Sequence, residues 1–246
     1  MKKISYQHHR FSPHIIQQAV WLYARFTLSY RDVEYLLAER GLDISYETVR
    51  RWFLKFGAPI VQNLRSSRPT PNDIWHLDEM VIVIRRKRHF LWRAVDSEGE
   101  VLDFPVQPRR NTKAALKLMR KLLKKQGFTP VEIVTDKLKS YQKAFRTLRL
   151  SAEHIDNKRS NNRAENSHLP VRRRERKMRK FKSPGSAQKF LNIHSATYNN
   201  FYLQRHLINR THLKECRAKA FGVWATASVA AKIFLLRLLC AFRKLT

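Results

Sequence analysis

IWHLDEMVIVI, residues 74–84, is the stretch whose reading decides the fold. Side chains alternate across a strand, which puts Ile74, His76, Asp78, Met80, Ile82 and Ile84 on one face and Trp75, Leu77, Glu79, Val81 and Val83 on the other. Both sets are mainly apolar, so the spacing predicts a central strand covered on both sides. An ionised Asp78 buried there without a partner would cost several kcal/mol, so the position calls for a cation or a metal.

Working outward, residues 90–96 and 101–107 flank the turn Asp96-Ser97-Glu98-Gly99-Glu100 and predict a hairpin beside the first strand. Asn111 or Thr112 can cap a helix to about Gln126, with Ala115, Leu116, Met119, Leu122 and Leu123 as its apolar face and Gly127 as its stop. A strand over 131–135 follows, with Asp136 at its carboxyl end, where open α/β sheets place ligands. A helix over 140–148 and a short strand over 152–155 come next. Ser186 can cap a last helix whose Phe190, Ile193, Thr197, Tyr198 and Phe201 read as core. The class is α/β, a mixed sheet with helices on both faces, spanning residues 74–215.

Ahead of the sheet the period is helical. Ser12-Pro13 opens a first helix to Phe26; Ser29 and Asp32 form a variant capping box for a second, which Gly41 ends; Ser45 caps a third over 46–56, closed by Gly57 and Pro59. Val49, Trp52 and Phe53 face inward in the third helix while Arg50, Arg51 and Lys55 face outward. Two helices joined by a short turn, the second with cations on its free face, describe a helix-turn-helix, although spacing alone also fits an ordinary helical hairpin. Tyr46, Glu47, Arg50 and Arg51 are the expected groove contacts. The domain occupies residues 1–60, and 61–73, with Ser-Ser and two prolines, read as a linker.

Fifty Lys and Arg against nineteen Asp and Glu give a formal charge of +31, which points to a polyanionic partner. Nucleic acid is favoured over a membrane surface because the cations are spread along the chain and interleaved with aromatic residues. Cys216 and Cys240 lack disulfide-framework and zinc spacing, and a reducing compartment fits. The start, MKKISYQHHRFSPH, has no apolar signal region. Residues 216–246 form a tail of unassigned role, whose apolar part is broken by Lys232 and Arg237 and so does not read as a membrane span.

The densest charge follows Glu165 in NNRAENSHLPVRRRERKMRKFK, residues 161–182: eight of the eleven residues from 172 to 182 are basic. Asp78, Asp136 and Glu165 can meet at one sheet edge, where carboxylates suit divalent cations that assist phosphodiester chemistry. Each has a plainer reading: Asp78 paired with an arginine, Asp136 capping the next helix, Glu165 solvated. On a straight helix Arg172 lies two turns from Glu165 on the same face, within reach of a phosphate held near the metals. Pro170 either restarts the helix or distorts that relation.

WHLDE around Asp78, RAVDSEGEVLDF with the later RRNTKAA, VTDK around Asp136, and NNRAENSH around Glu165 with Arg172 seven residues on resemble the DDE transposases of bacterial insertion sequences, and among them the insertion-sequence-six family. The resemblance implies a ribonuclease-H-like core in which Asp78, Asp136 and Glu165 hold two Mg²⁺ ions, with Mn²⁺ as a substitute. It implies double-stranded DNA partners, namely terminal inverted repeats and target, and a homo-oligomer on that DNA. Arg172 occupies the position of a substrate-binding Lys or Arg, and Arg173, Arg176 and Lys177 continue the DNA track. The expected setting is the bacterial cytoplasm, associated with the nucleoid, and not a membrane. Two readings compete: a helix-turn-helix regulator with a decayed catalytic domain, and a nuclease of the same fold acting on RNA–DNA hybrids.

Overall fold

The computed structural model describes residues 1–204 and 207–229. These divide into two compact units, residues 1–68 with 192–229, and Pro69–Leu191. The end of the notional tail, residues 230–246 with Cys240, Lys232 and Arg237, lies outside the described residues.

The first unit is helical. Helices α1 (Pro13–Arg25), α2 (Tyr30–Ala38) and α3 (Tyr46–Ser66) bury Ile16, Val20, Val33, Leu37, Val49 and Phe53. The capping box on α2 is present: Ser29 Oγ accepts from Asp32 N at 3.1 Å, and Asp32 Oδ2 accepts from Ser29 N at 2.8 Å. The connection between α2 and α3 covers residues 39–45, and its sharp bend is at Gly41, whose φ of 74° is left-handed. The third helix does not stop at Phe56. It runs through Gly57 and Pro59 because Ile60, Val61 and Leu64 continue its buried stripe, and the carbonyl that Pro59 leaves without a donor belongs to exposed Lys55, where water can serve it. Residues 61–66, expected in the linker, are therefore helical.

A later helix, α8 (Arg210–Ser228), packs on α3 in this unit: Asn63 Nδ2 donates to Ala227 O at 2.8 Å, and Tyr6 Oη donates to Ser228 O at 2.6 Å. None of the described helices is long and apolar enough to cross a membrane.

The second unit is a mixed sheet with helices on both faces. Its strands are β1 (Ile74–Ile84), β2 (Lys87–Asp96), β3 (Val101–Asp103), β4 (Val106–Gln107), β5 (Glu132–Thr135) and β6 (Glu153–Asp156). The order is β3-β2-β1-β5-β6, with β4 also on β2; β2 is antiparallel to β1, and β5 and β6 are parallel to it. This is the ribonuclease-H-like arrangement, with β1 central as its two apolar faces require. Residues 101–107 form two short strands because Pro105 cannot donate to the ladder; its carbonyl accepts from Trp92 N at 3.0 Å.

Helices α4 (Thr112–Gln126) and α5 (Lys139–Leu148) cover one face, where Leu118, Met119, Tyr141 and Phe145 pack on Trp75, Leu77 and Trp92. Asn111 caps α4 and Gly127, at φ 79°, ends it. Helix α6 (Asn162–Lys177) lies against β1 and β2, after a 3-10 turn over Lys158–Asn161. It continues through Pro170. The residue four before it, Asn166, is exposed, so water can serve the orphaned carbonyl, while Ala164, Ser167, His168, Val171 and Arg174 keep a buried stripe at helical spacing. Helix α7 (Pro184–Phe201) begins one turn earlier than a Ser186 cap allows, because Ser183 Oγ accepts from Ser186 N at 3.1 Å.

Candidate active site

Parallel pairing of β1 with β5 runs from Ile74↔Glu132 to Leu77↔Thr135. Asp78 and Asp136 are the next residues on each strand, so the register alone brings together two carboxylates remote in sequence. Ligand oxygens of Asp78, Glu79 and Asp136 lie within 4.8 Å of one another, the single acidic group of this kind among the described residues. Asp78 and Glu79 stand on opposite faces of β1, the first toward α6 and the second toward α5.

Each carboxylate is held differently. Asp78 Oδ2 lies 2.9 Å from His168 Nε2, and Asn161 Nδ2 donates to Leu77 O at 2.8 Å, so two contacts dock α6 beside Asp78. Glu79 accepts from Tyr141 Oη at 3.1 Å and is paired with Arg110 Nε. Arg110 Nη2 also reaches Asp136 Oδ2 at 3.1 Å, and Asp136 Oδ1 accepts from Leu138 N at 3.2 Å at the start of α5. Asp136 therefore does some of the capping its plainer reading assigns.

Burial, followed by the charges of Asp136 and then Asp78, pushes the Glu79 carboxyl up to about 7, against the lowering effect of Arg110. Burial and then the Asp78 charge raise Asp136 as well. Hard oxygen donors this close, short of positive charge, suit a hard divalent cation, and the Arg110 guanidinium lies where part of that charge is needed.

Glu165 is exposed in the first turn of α6 and is not in the close acidic group. It precedes His168 by three residues, which puts it about one turn away on the helix that carries the Asp78 contact. Arg172 is exposed two turns farther along, as are Arg173, Arg176 and Lys177. Arg174 is 1% exposed, its guanidinium 5.1 Å from the Phe190 ring centroid, so one cation of the run is part of the core. On α3, Tyr46, Arg50 and Arg51 are exposed, and Glu47 holds Arg50 at 2.8 Å and Arg51 at 3.4 Å.

Sequence reasoning missed Glu79, Arg110, Tyr141 and His168 as members of the site. The signal for His168 was a polar residue on the buried stripe of α6, for Glu79 an acid in the apolar set of β1, and for Arg110 its place in the motif RRNTKAA.

A family model described as a DDE domain matches residues 72–203, which include Asp78, Asp136 and Glu165. The chain is 30% identical over 175 residues to the transposase for the insertion-sequence-like element IS431mec of Staphylococcus aureus, covering 69% of this chain and 78% of that protein. It is 29% identical, over the same shares, to the transposase for insertion sequence element IS257 in transposon Tn4003 of the same species. Among solved structures, the human T-cell lymphotropic virus 2 integrase catalytic core domain in complex with magnesium is similar at 15% identity and a TM-score of 0.39, over 57% of this chain and 91% of that one.

Proposed function

The chain belongs to the DDE transposases of the insertion-sequence-six family, and from this premise we propose that it binds the terminal inverted repeats of an insertion sequence and catalyses Mg²⁺-dependent cleavage and strand transfer of DNA. The observation that carries the reading is the register Leu77↔Thr135, which seats Asp78 beside Asp136 under the helix that bears Glu165.

Asp78, Asp136 and Glu165 are the residues that would hold the metal. Two Mg²⁺ ions bound there would activate the attacking oxygen, from water or a DNA 3′-hydroxyl, and stabilise the leaving one. The chain's own groups prepare that site. His168 orients the Asp78 carboxylate, Tyr141 and Arg110 hold Glu79 on the opposite face of β1, and Arg110 offsets the carboxylate charge. Arg172 presents a bidentate fork for a phosphate beside Glu165, and Arg173, Arg176 and Lys177 extend the track.

In the first unit, α3 offers Tyr46, Glu47, Arg50 and Arg51 to the repeat, and release of Arg50 and Arg51 from Glu47 accompanies phosphate contact. Multiple subunits on paired ends follow from the same reading.

The test is Asp78→Asn, assayed with repeat-ended DNA and Mg²⁺. Strand transfer is abolished while repeat binding persists. Undiminished strand transfer in this variant overturns the assignment, and binding without metal-dependent nicking by the native protein favours the decayed regulator.

A further inference from the structure

The hairpin that carries Asp78 ends in four consecutive cations, Arg85, Arg86, Lys87 and Arg88, all exposed. The ladder closes at Ile84↔Lys87, so Arg85 and Arg86 form the two-residue turn, with φ of 49° and 63°. Both are left-handed. A turn of this kind selects Asn-Gly, because a Cβ disfavours those dihedrals, and two arginines here run against local backbone preference. Residues held in a disfavoured conformation point to a use for their side chains.

The surroundings supply an electrostatic reason. None of the four forms an ion pair with a carboxylate among the described residues. Arg85 Nε instead donates to Lys182 O at 3.0 Å, which joins the tip to the end of the cationic run that follows Glu165. Arg179 and Lys180 in that run are also exposed and left-handed, at φ 53° and 73°. Two cationic turns thus meet in one patch.

The position suits a long anion. Beyond Leu77 the strand β1 has no β5 partner, so the hairpin extends from the sheet as a ribbon with Ile82 and Ile84 buried and Val81 exposed. The seven residue steps from Asp78 to Arg85 span about 23 Å, roughly the axial rise of seven phosphates on one DNA strand.

We propose that this tip is a phosphate-binding site for duplex DNA flanking the reacting bond, distinct from α3 and from the Arg172 track. The proposal rests on the transposase reading for the identity of the polyanion. Contacts to phosphates carry no sequence information, so binding at the tip is sequence-independent.

The experiment compares the full chain with Arg85→Asn/Arg86→Gly, using a fluorescein-labelled random-sequence duplex titrated at several salt concentrations. Asn-Gly suits the turn, so the melting temperature of the variant rises by a few degrees. Its duplex binding weakens nevertheless, and the slope of log affinity against log salt falls in magnitude by about two, one for each lost phosphate contact. A second variant, Lys87→Gln/Arg88→Gln, leaves the turn dihedrals in place and lowers the slope likewise. Native affinity and slope in both variants overturn the proposal while the transposase reading stands. Salt-independent duplex binding, or none, by the native chain overturns both.

Discussion

His168 Nε2 lies 2.9 Å from Asp78 Oδ2, and the contact joins the helix that bears Glu165 to the strand that bears Asp78. The imidazole is 9% exposed at its side chain and stands one turn beyond Glu165, so it sets both the direction of Asp78 and the seating of α6. His168→Ala is expected to weaken Mn²⁺ affinity and single-turnover strand transfer by about 10–100-fold, the usual cost of losing a group that orients a metal ligand. Calorimetric titration with Mn²⁺ checks the first, and unchanged affinity would show that Asp78 is positioned without it.

Arg110 competes for the same carboxylates as a divalent cation, because it pairs with Glu79 and with Asp136 at once. Arg110→Gln should therefore tighten Mn²⁺ binding while lowering the melting temperature of the metal-free protein. The stability gap between native and variant closes as Mn²⁺ is added, since a ligand that binds the folded state stabilises it by mass action. A gap that ignores Mn²⁺ would make Arg110 purely structural.

Glu165 is exposed in the first turn of α6. Glu165→Gln is expected to change stability by no more than about 0.5 kcal/mol, as for exposed positions in general, yet to abolish strand transfer. Full activity in this variant would return Glu165 to the role of a solvated acid.

Tyr6 gives a pH dependence whose sign follows from its surroundings. Its hydroxyl is buried against Ser228 O, and burial pushes its pKa up to about 12 from the usual 10. Below about pH 10 both folded and unfolded states keep the proton, so the contribution is fully present. Between about 10 and 12 the unfolded chain loses the proton first, and stability falls as pH rises. Tyr6→Phe removes this part of the alkaline loss in melting curves. At neutral pH it costs at most about 1 kcal/mol, because Gln17 Nε2 still donates to Ser228 O at 2.9 Å.

Much of the site is legible in local patterns. The double alternation over residues 74–84 marks a central strand, and Asp78 is conspicuous there as a charge in need of a partner. Ser29 with Asp32, Asn111 and Gly127 announce helix ends because capping acts over three or four residues, well within the reach of a sequence motif. Pro59 and Pro170 are the instructive differences. A proline signals a helix end locally, yet both helices continue, because their buried stripes persist and the exposed residues four places earlier leave the orphaned carbonyls to water.

By itself, then, the chain determined the periods of its strands and helices, its excess of positive charge, and the local settings of Asp78, Asp136 and Glu165, since each is a property of residues close in sequence or of composition. Tertiary structure alone decided which of these groups meet. The Leu77↔Thr135 register sets Asp78 beside Asp136, Arg110 closes on two carboxylates from another element, and Arg174 is drawn from the cationic run into contact with Phe190. Such pairings depend on burial and on register between distant strands, and neither is written in the local pattern of any one segment.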